Sequence, residues 1–142
     1  MGQQQLLLLV LATVIVGLAT VAGIQAFDQG QTRANLDANT QTAVKIASDA
    51  QAKIKEPSQF GGYDNDLSKA AGSMTLDELG YRTNGGESND AYETTDGSCT
   101  MNNSNSNSNI EITCDSDQSE AVVVVKGTDA KDIETTTQKI KS

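Results

Sequence analysis

Residues 6–24 carry no charged side chain, and Thr13 and Thr20 are the only polar ones. As a helix this run is about 28 Å long, close to the hydrocarbon thickness of a bilayer. Such a segment spends time in a membrane, is removed on export, or is buried against other copies of itself. After Phe27 the pattern changes. Leu36, Thr40, Ala43, Ala47, Ala50 and Ile54 recur at spacings of three and four, with Val44 and Ile46 beside them. Arg33, Asp37, Gln41, Lys45, Asp49 and Lys53 fall on the other side, as in an amphipathic helix. Pro57 is the only proline, and a helix ends naturally at Lys55-Glu56 before it. The pattern predicts one long helix over about residues 2–55, apolar all round first and one-faced second.

Within the apolar part, Ala12, Val16, Ala19, Gly23, Ala26 and Gly30 share a face at spacings of three and four. Small residues arranged this way let helix backbones approach closely. Each glycine weakens a helix by about 1 kcal/mol relative to Ala, so a bend or melted turn is expected between Gly17 and Gly23.

Residues 58–97 are polar and glycine-rich. Phe60, Tyr63, Leu67, Met74, Leu76, Leu79, Tyr81 and Tyr92 are their expected anchors. Thr75 lies three residues before Glu78, which predicts a helical turn with a capping box. Asn84-Gly85-Gly86 and Asp96-Gly97 are turn signals. Residues 103–109 alternate Asn and Ser and read as a loop. Ile110, Ile112 and Cys114 alternate with Glu111 and Thr113, a half-buried strand whose hairpin partner lies around Cys99 and Met101. Residues 121–126, with four consecutive valines, read as a more buried strand. Gly127-Thr128-Asp129 turns the chain. Residues 131–140 permit either a last strand over 133–137 or an irregular tail. The expected fold is α+β: a long helix packed on a small antiparallel β head. Its divisions are an apolar segment at 1–27, an amphipathic half-helix at 28–56 and an acidic head at 57–142.

The net charge is −9, and every charged side chain lies from Asp28 onward. Residues 56–120 hold thirteen acids against two bases, so the acidity is concentrated there. A surface of this sign repels nucleic acid, and none is expected as a partner. The chain has no His and no Trp, which removes histidine-dependent catalysis and the common zinc sites. Cys99 and Cys114 are the only cysteines. In an exported chain an even cysteine count implies a disulfide, and here it would staple the predicted hairpin.

Asp64-Asn65-Asp66 and Asp115-Ser116-Asp117 offer oxygens suited to calcium, but neither continues as an EF-hand loop. They read as solvated turn carboxylates. Asn102-Asn103-Ser104 fits the N-glycosylation pattern, with Asn102 as acceptor. No nucleophile–base pair, paired acids or phosphate loop appears. No catalytic role, metal or cofactor is expected.

A fully apolar then amphipathic N-terminal helix, followed by a small head with a Cys99–Cys114 pair, resembles a type IV pilin. The resemblance implies a leader cleaved by a prepilin peptidase and an N-methylated first residue, which would be Met1. Gln5 stands where the family usually has a glutamate that pairs with a neighbour's terminal amine. An amide there offers only a neutral hydrogen bond. The family's helix-breaking proline is absent from the apolar segment. The resemblance further implies self-assembly into a helical filament, core packing through Gln5, Ala12, Val16, Ala19, Gly23 and Ala26, a membrane-held pool before assembly, and a cell-surface location. The competing expectations are a monomeric anchored ectodomain, adhesin-like, and a pseudopilin of a secretion system. Export with cleavage after Ala26 also remains open, although no basic flank precedes the apolar run.

Overall fold

A computed structural model describes residues 2–83, 91–104 and 108–141. Met1, the Asn84-Gly85-Gly86 turn and the centre of the Asn/Ser tract lie outside the described residues. Helix α1 spans Gly2–Lys55. It runs unbroken through Gly17 and Gly23, with no melted turn in the single chain. The i→i−4 ladder supports both glycines without a local partner. By its contacts the chain forms two compact units, Met1–Arg33 and Ala34–Ser142.

In the second unit, α1 ends where Pro57 requires it, and its last carbonyls are satisfied by a returning loop. Asn65 N–H donates to Ile54 O at 2.7 Å and Asp64 N–H to Glu56 O at 3.0 Å. Asp64 and Asn65 both adopt positive φ, which Asn and Asp tolerate better than other side-chain-bearing residues. Gly62 passes so close to the helix end that a Cβ would sit 2.1 Å from Glu56 O. The loop carries a 3-10 turn over Ser58–Phe60, then helix α2 over Leu67–Ser73. Asp66 caps α2, its Oδ1 accepting from Ser68 N–H at 3.0 Å and Lys69 N–H at 3.3 Å.

The expected turn near Thr75 is present as a tight 3-10-like turn, not as a regular α-helical one. Glu78 N–H reaches Thr75 Oγ1 at 3.3 Å, Leu79 N–H bonds Leu76 O and Gly80 N–H bonds Asp77 O, and Tyr81 N–H then closes back on Leu76 O. Phe60 is not an anchor. It is 78% exposed at the loop tip, because Gly61 and Gly62 turn the chain back before it can reach the core.

Five strands follow: β1 Tyr92–Glu93, β2 Ser98–Ser104, β3 Asn109–Asp115, β4 Ser119–Val125 and β5 Ile133–Ile140. They form one antiparallel meander in sequence order. The Asn/Ser tract is therefore not all loop. Asn103 and Ser104 extend β2, and Asn109 opens β3 opposite Ser104. Asn103 continues the Cys99–Met101 face, and its Nδ2 donates to Met74 O at 2.6 Å. The ambiguous tail is a full strand. It carries a bulge at Thr136, since Val122 pairs with Thr137 and Val123 with Thr135.

One sheet face holds Cys99, Met101, Ile110, Ile112, Cys114, Ala121, Val123 and Val125, all fully buried. Ala43, Ile46, Ala47, Ala50 and Ile54 of α1 cover it, joined by Ala70, Ala71 and Met74. Each large aliphatic here contributes about 1.5–3 kcal/mol by burial. Small alanines on the helix let the sheet approach closely. Two polar side chains sit on that same helix face. Asn39 Nδ2 donates to Ser119 Oγ at 3.2 Å, and Gln51 Nε2 donates to Gly127 O at 2.9 Å and Asp129 O at 2.7 Å. They clamp α1 beside the two ends of β4.

Candidate functional site

Residues 2–30 are all exposed, and the described residues of the unit Met1–Arg33 are helix alone. Its thirteen largest hydrophobics, from Leu6 to Phe27, are 50–69% exposed. The segment is long and apolar enough to cross a membrane, with none of it buried within the chain. Its two threonines need no outside partner. Thr13 Oγ1 donates to Val10 O and Thr20 Oγ1 to Gly17 O, both at 2.8 Å. A surface whose threonine hydroxyls are satisfied internally is compatible with lipid or with a dry helix interface.

Ala12, Val16, Ala19, Gly23 and Ala26 fall within about 80° of arc at 100° per residue, as the sequence indicated. All are exposed, and a Cβ added at Gly17, Gly23 or Gly30 would meet nothing within 4 Å. Gln5 is exposed at the same end as Gln3 and Gln4.

The head holds the remaining sequence-derived candidates. Cys99 and Cys114 are bonded, directly opposed in register with Cα atoms 4.0 Å apart. Asn102 is exposed on the sheet face turned away from α1, opposite Glu111. The carboxylates weighed for calcium have structural duties. Asp64 Oδ1 accepts the Ser58 N–H at 2.7 Å, which holds its carboxyl below the usual carboxylate range. Asp66 caps α2, and Asp115 pairs with Lys141. Asp115 and Asp117 line an open hollow of about 600 Å3 with Glu93 and Asp96. Among the described residues no three His, Cys, Asp or Glu side chains are grouped to hold a metal ion.

Two tyrosines pin the loops to α1 and to each other. Tyr81 Oη donates to Asp49 Oδ2 at 2.5 Å and packs edge-on against Tyr92 at 5.0 Å. Burial, reinforced by the Asp49 carboxylate, pushes its pKa well above the ordinary value. Tyr63 Oη donates to Glu78 Oε2 at 2.7 Å, and its pKa is also raised, chiefly by burial.

The chain matches no family model, no curated protein and no solved structure.

Proposed function

We propose that the chain is the structural subunit of an extracellular helical filament, resembling a type IV pilin and assembled through its apolar N-terminal helix. The observation that supports this reading is the surface of residues 6–24: free of charge, apolar except for two threonines whose hydroxyls bond their own backbone, and exposed along its whole length. In this reading a membrane holds the segment before assembly. Copies of the same helix then replace the lipid, with the stripe of Ala12, Val16, Ala19, Gly23 and Ala26 setting their spacing. The peptidase and assembly machinery of pilin-like systems are the implied partners, and the cell surface is the destination. The role is architectural rather than catalytic, with the acidic head as the outer coat.

A second reading is favoured by the same length of apolar helix. One membrane-spanning segment suffices to tether a monomeric ectodomain. Against it, the residues after the apolar run stay helical up to the head, where a tether more often turns to a flexible Gly/Ser or Pro-rich linker. Electron microscopy of the full chain after detergent removal separates the readings. Long uniform fibres are expected, and Ala19→Leu or Gly23→Leu should abolish them or change their diameter by overpacking a close contact. A chain that stays monomeric in vesicles would establish the tether instead. Short assemblies that never elongate would favour a pseudopilin.

A further inference from the structure

Strand β5 is the last strand of the sheet and is paired on one side only, to β4. All of it except Ile133 is exposed. Alternate residues of such an edge direct their backbone N–H and C=O groups outward, a template for another strand. Edges are usually blunted with charges, and β5 carries two: Glu134 and Lys139. Their arrangement does more than blunt. The register with β4 places both on the outer face, Glu134 opposite Val124 and Lys139 opposite Glu120. Ile133, Thr135, Gln138 and Ile140 face inward, toward α1. Gln138 Nε2 bonds Thr40 Oγ1 at 3.3 Å, and Ile140 lies opposite Ser119, which bonds Asn39.

Laid antiparallel on itself about its midpoint, this strand is self-complementary. With the two-fold axis between Thr136 and Thr137, Glu134 meets the second copy's Lys139, Ile133 meets Ile140, Thr135 meets Gln138 and Thr136 meets Thr137. Every pair outside the bulge joins residues of the same face, which antiparallel pairing demands. The opposite charges meet twice. Ile140, half exposed in the single chain, gains an apolar neighbour. Lys139 has no ion pair among the described residues, while Glu134 pairs with Lys126 in the single chain, so the second copy's Lys139 would join an existing pair.

We propose that β5 is a self-pairing edge through which two copies of this chain join antiparallel into a continuous ten-stranded sheet, in the register Glu134 to Lys139. The proposal does not depend on the filament reading, because every residue in it belongs to the head. If filaments form, it adds a constraint. Subunits that follow one another in a polar fibre are related by a screw operation, so a two-fold pair of this kind is an additional contact and not the one that elongates the fibre.

The test is site-directed cross-linking of the full chain in detergent micelles under mild oxidation, read by mass and peptide mapping. Glu134→Cys/Lys139→Cys should give a dimer linked from 134 of one copy to 139 of the other. Within one chain the two positions are about 17 Å apart and cannot join. Glu134→Cys alone should remain monomeric, since the two copies of position 134 are separated by the same distance. In a second arm with amine-reactive or photochemical cross-linking, Lys139→Glu sets like charges opposite one another and should lower dimer yield about tenfold, while Glu134→Lys/Lys139→Glu restores it. Monomer only from the double cysteine variant, equal cross-linking by Glu134→Cys alone, or a link mapped elsewhere on the sheet would overturn the proposal. So would a reversal pair that fails to rescue. Fibre formation is scored separately, so failure here leaves the helix-core reading untouched.

Discussion

The two units of this chain contain stretches of the same helix that have met opposite fates. From Leu6 to Phe27 the large aliphatic side chains are the exposed ones. From Ala34 to Lys55 the buried apolar positions are Ala43, Ala47 and Ala50 with Ile46 and Ile54. Backbone and period are shared, so the difference lies in what covers the surface. The head's helix face is covered by its own sheet, and its stabilisation is spent within one molecule. The apolar segment has no intramolecular cover. At about 1.5–3 kcal/mol for each large side chain removed from water, its burial is worth tens of kcal/mol that only lipid or other chains can supply. The head specifies a fold, and the apolar segment specifies a need for company.

The sharpest way to break that contrast is to remove one side of it. Deleting residues 1–27 should convert the protein from an insoluble or fibrous species into a soluble monomer, with the head's near-ultraviolet spectrum unchanged. Fibres from the truncated chain would show that the head carries the assembly surface. The next largest effect falls on the head alone. The 15-residue separation between Cys99 and Cys114 gives a disulfide worth about 3 kcal/mol in the chain-entropy model. Reduction, or Cys99→Ser/Cys114→Ser, should lower the head's Tm, while helicity from residues 2–33, followed in micelles, stays level.

A paired substitution sharpens the comparison further. Ala47→Leu adds volume at a fully buried site and should cost the head about 1–3 kcal/mol in denaturant titration. Ala19→Leu adds the same atoms at an exposed site and should leave the monomer's stability within error, its whole effect appearing in assembly. Equal destabilisation by both would mean that the apolar segment does pack within its own chain. The smallest effect is at alkaline pH. Tyr81 holds its proton more tightly in the folded state than in the unfolded one. The stability it contributes is complete below the unfolded pKa of about 10 and is lost as pH rises above it, because the unfolded chain gives up the proton first. Tyr81→Phe should flatten the fall in Tm between about pH 10 and 11, in part only, because Tyr63 shifts the same way.

The long helix was readable because its two signals are strong and local: period 3.6 up to Ile54 and a single proline at residue 57. Strands β3 and β4 were readable from alternation and from the valine run, and the disulfide followed from a hairpin that sets Cys99 against Cys114. Helix α2 is hard to read in the sequence because Leu67–Ser73 is short and offers only Leu67, Ala70 and Ala71 as a face. Asp66 immediately before it, a good N-cap, was the available signal. Asn103 was legible in principle, two residues on from Met101 on the same strand face, but its composition argued for a loop. Asn39 and Gln51 could not be recognised as buried from their own chemistry. A polar residue on an apolar face gains its meaning only when Ser119, Gly127 and Asp129 arrive from the far end of the sequence. The apolar surface was plain from composition, whereas its occupant was not, because one chain does not contain the neighbour that covers it.

The clamps formed by Asn39 and Gln51 carry a consequence for how this protein can change over generations. They engage the sheet at two places, twelve residues apart along α1. Inserting or deleting one residue between them would turn one amide about 100° around the helix axis relative to the other, so that only one could reach its partner. Point substitutions on the solvent side of this stretch are cheap by comparison. The segment from Asn39 to Gln51 is therefore free to drift in spelling but not in length.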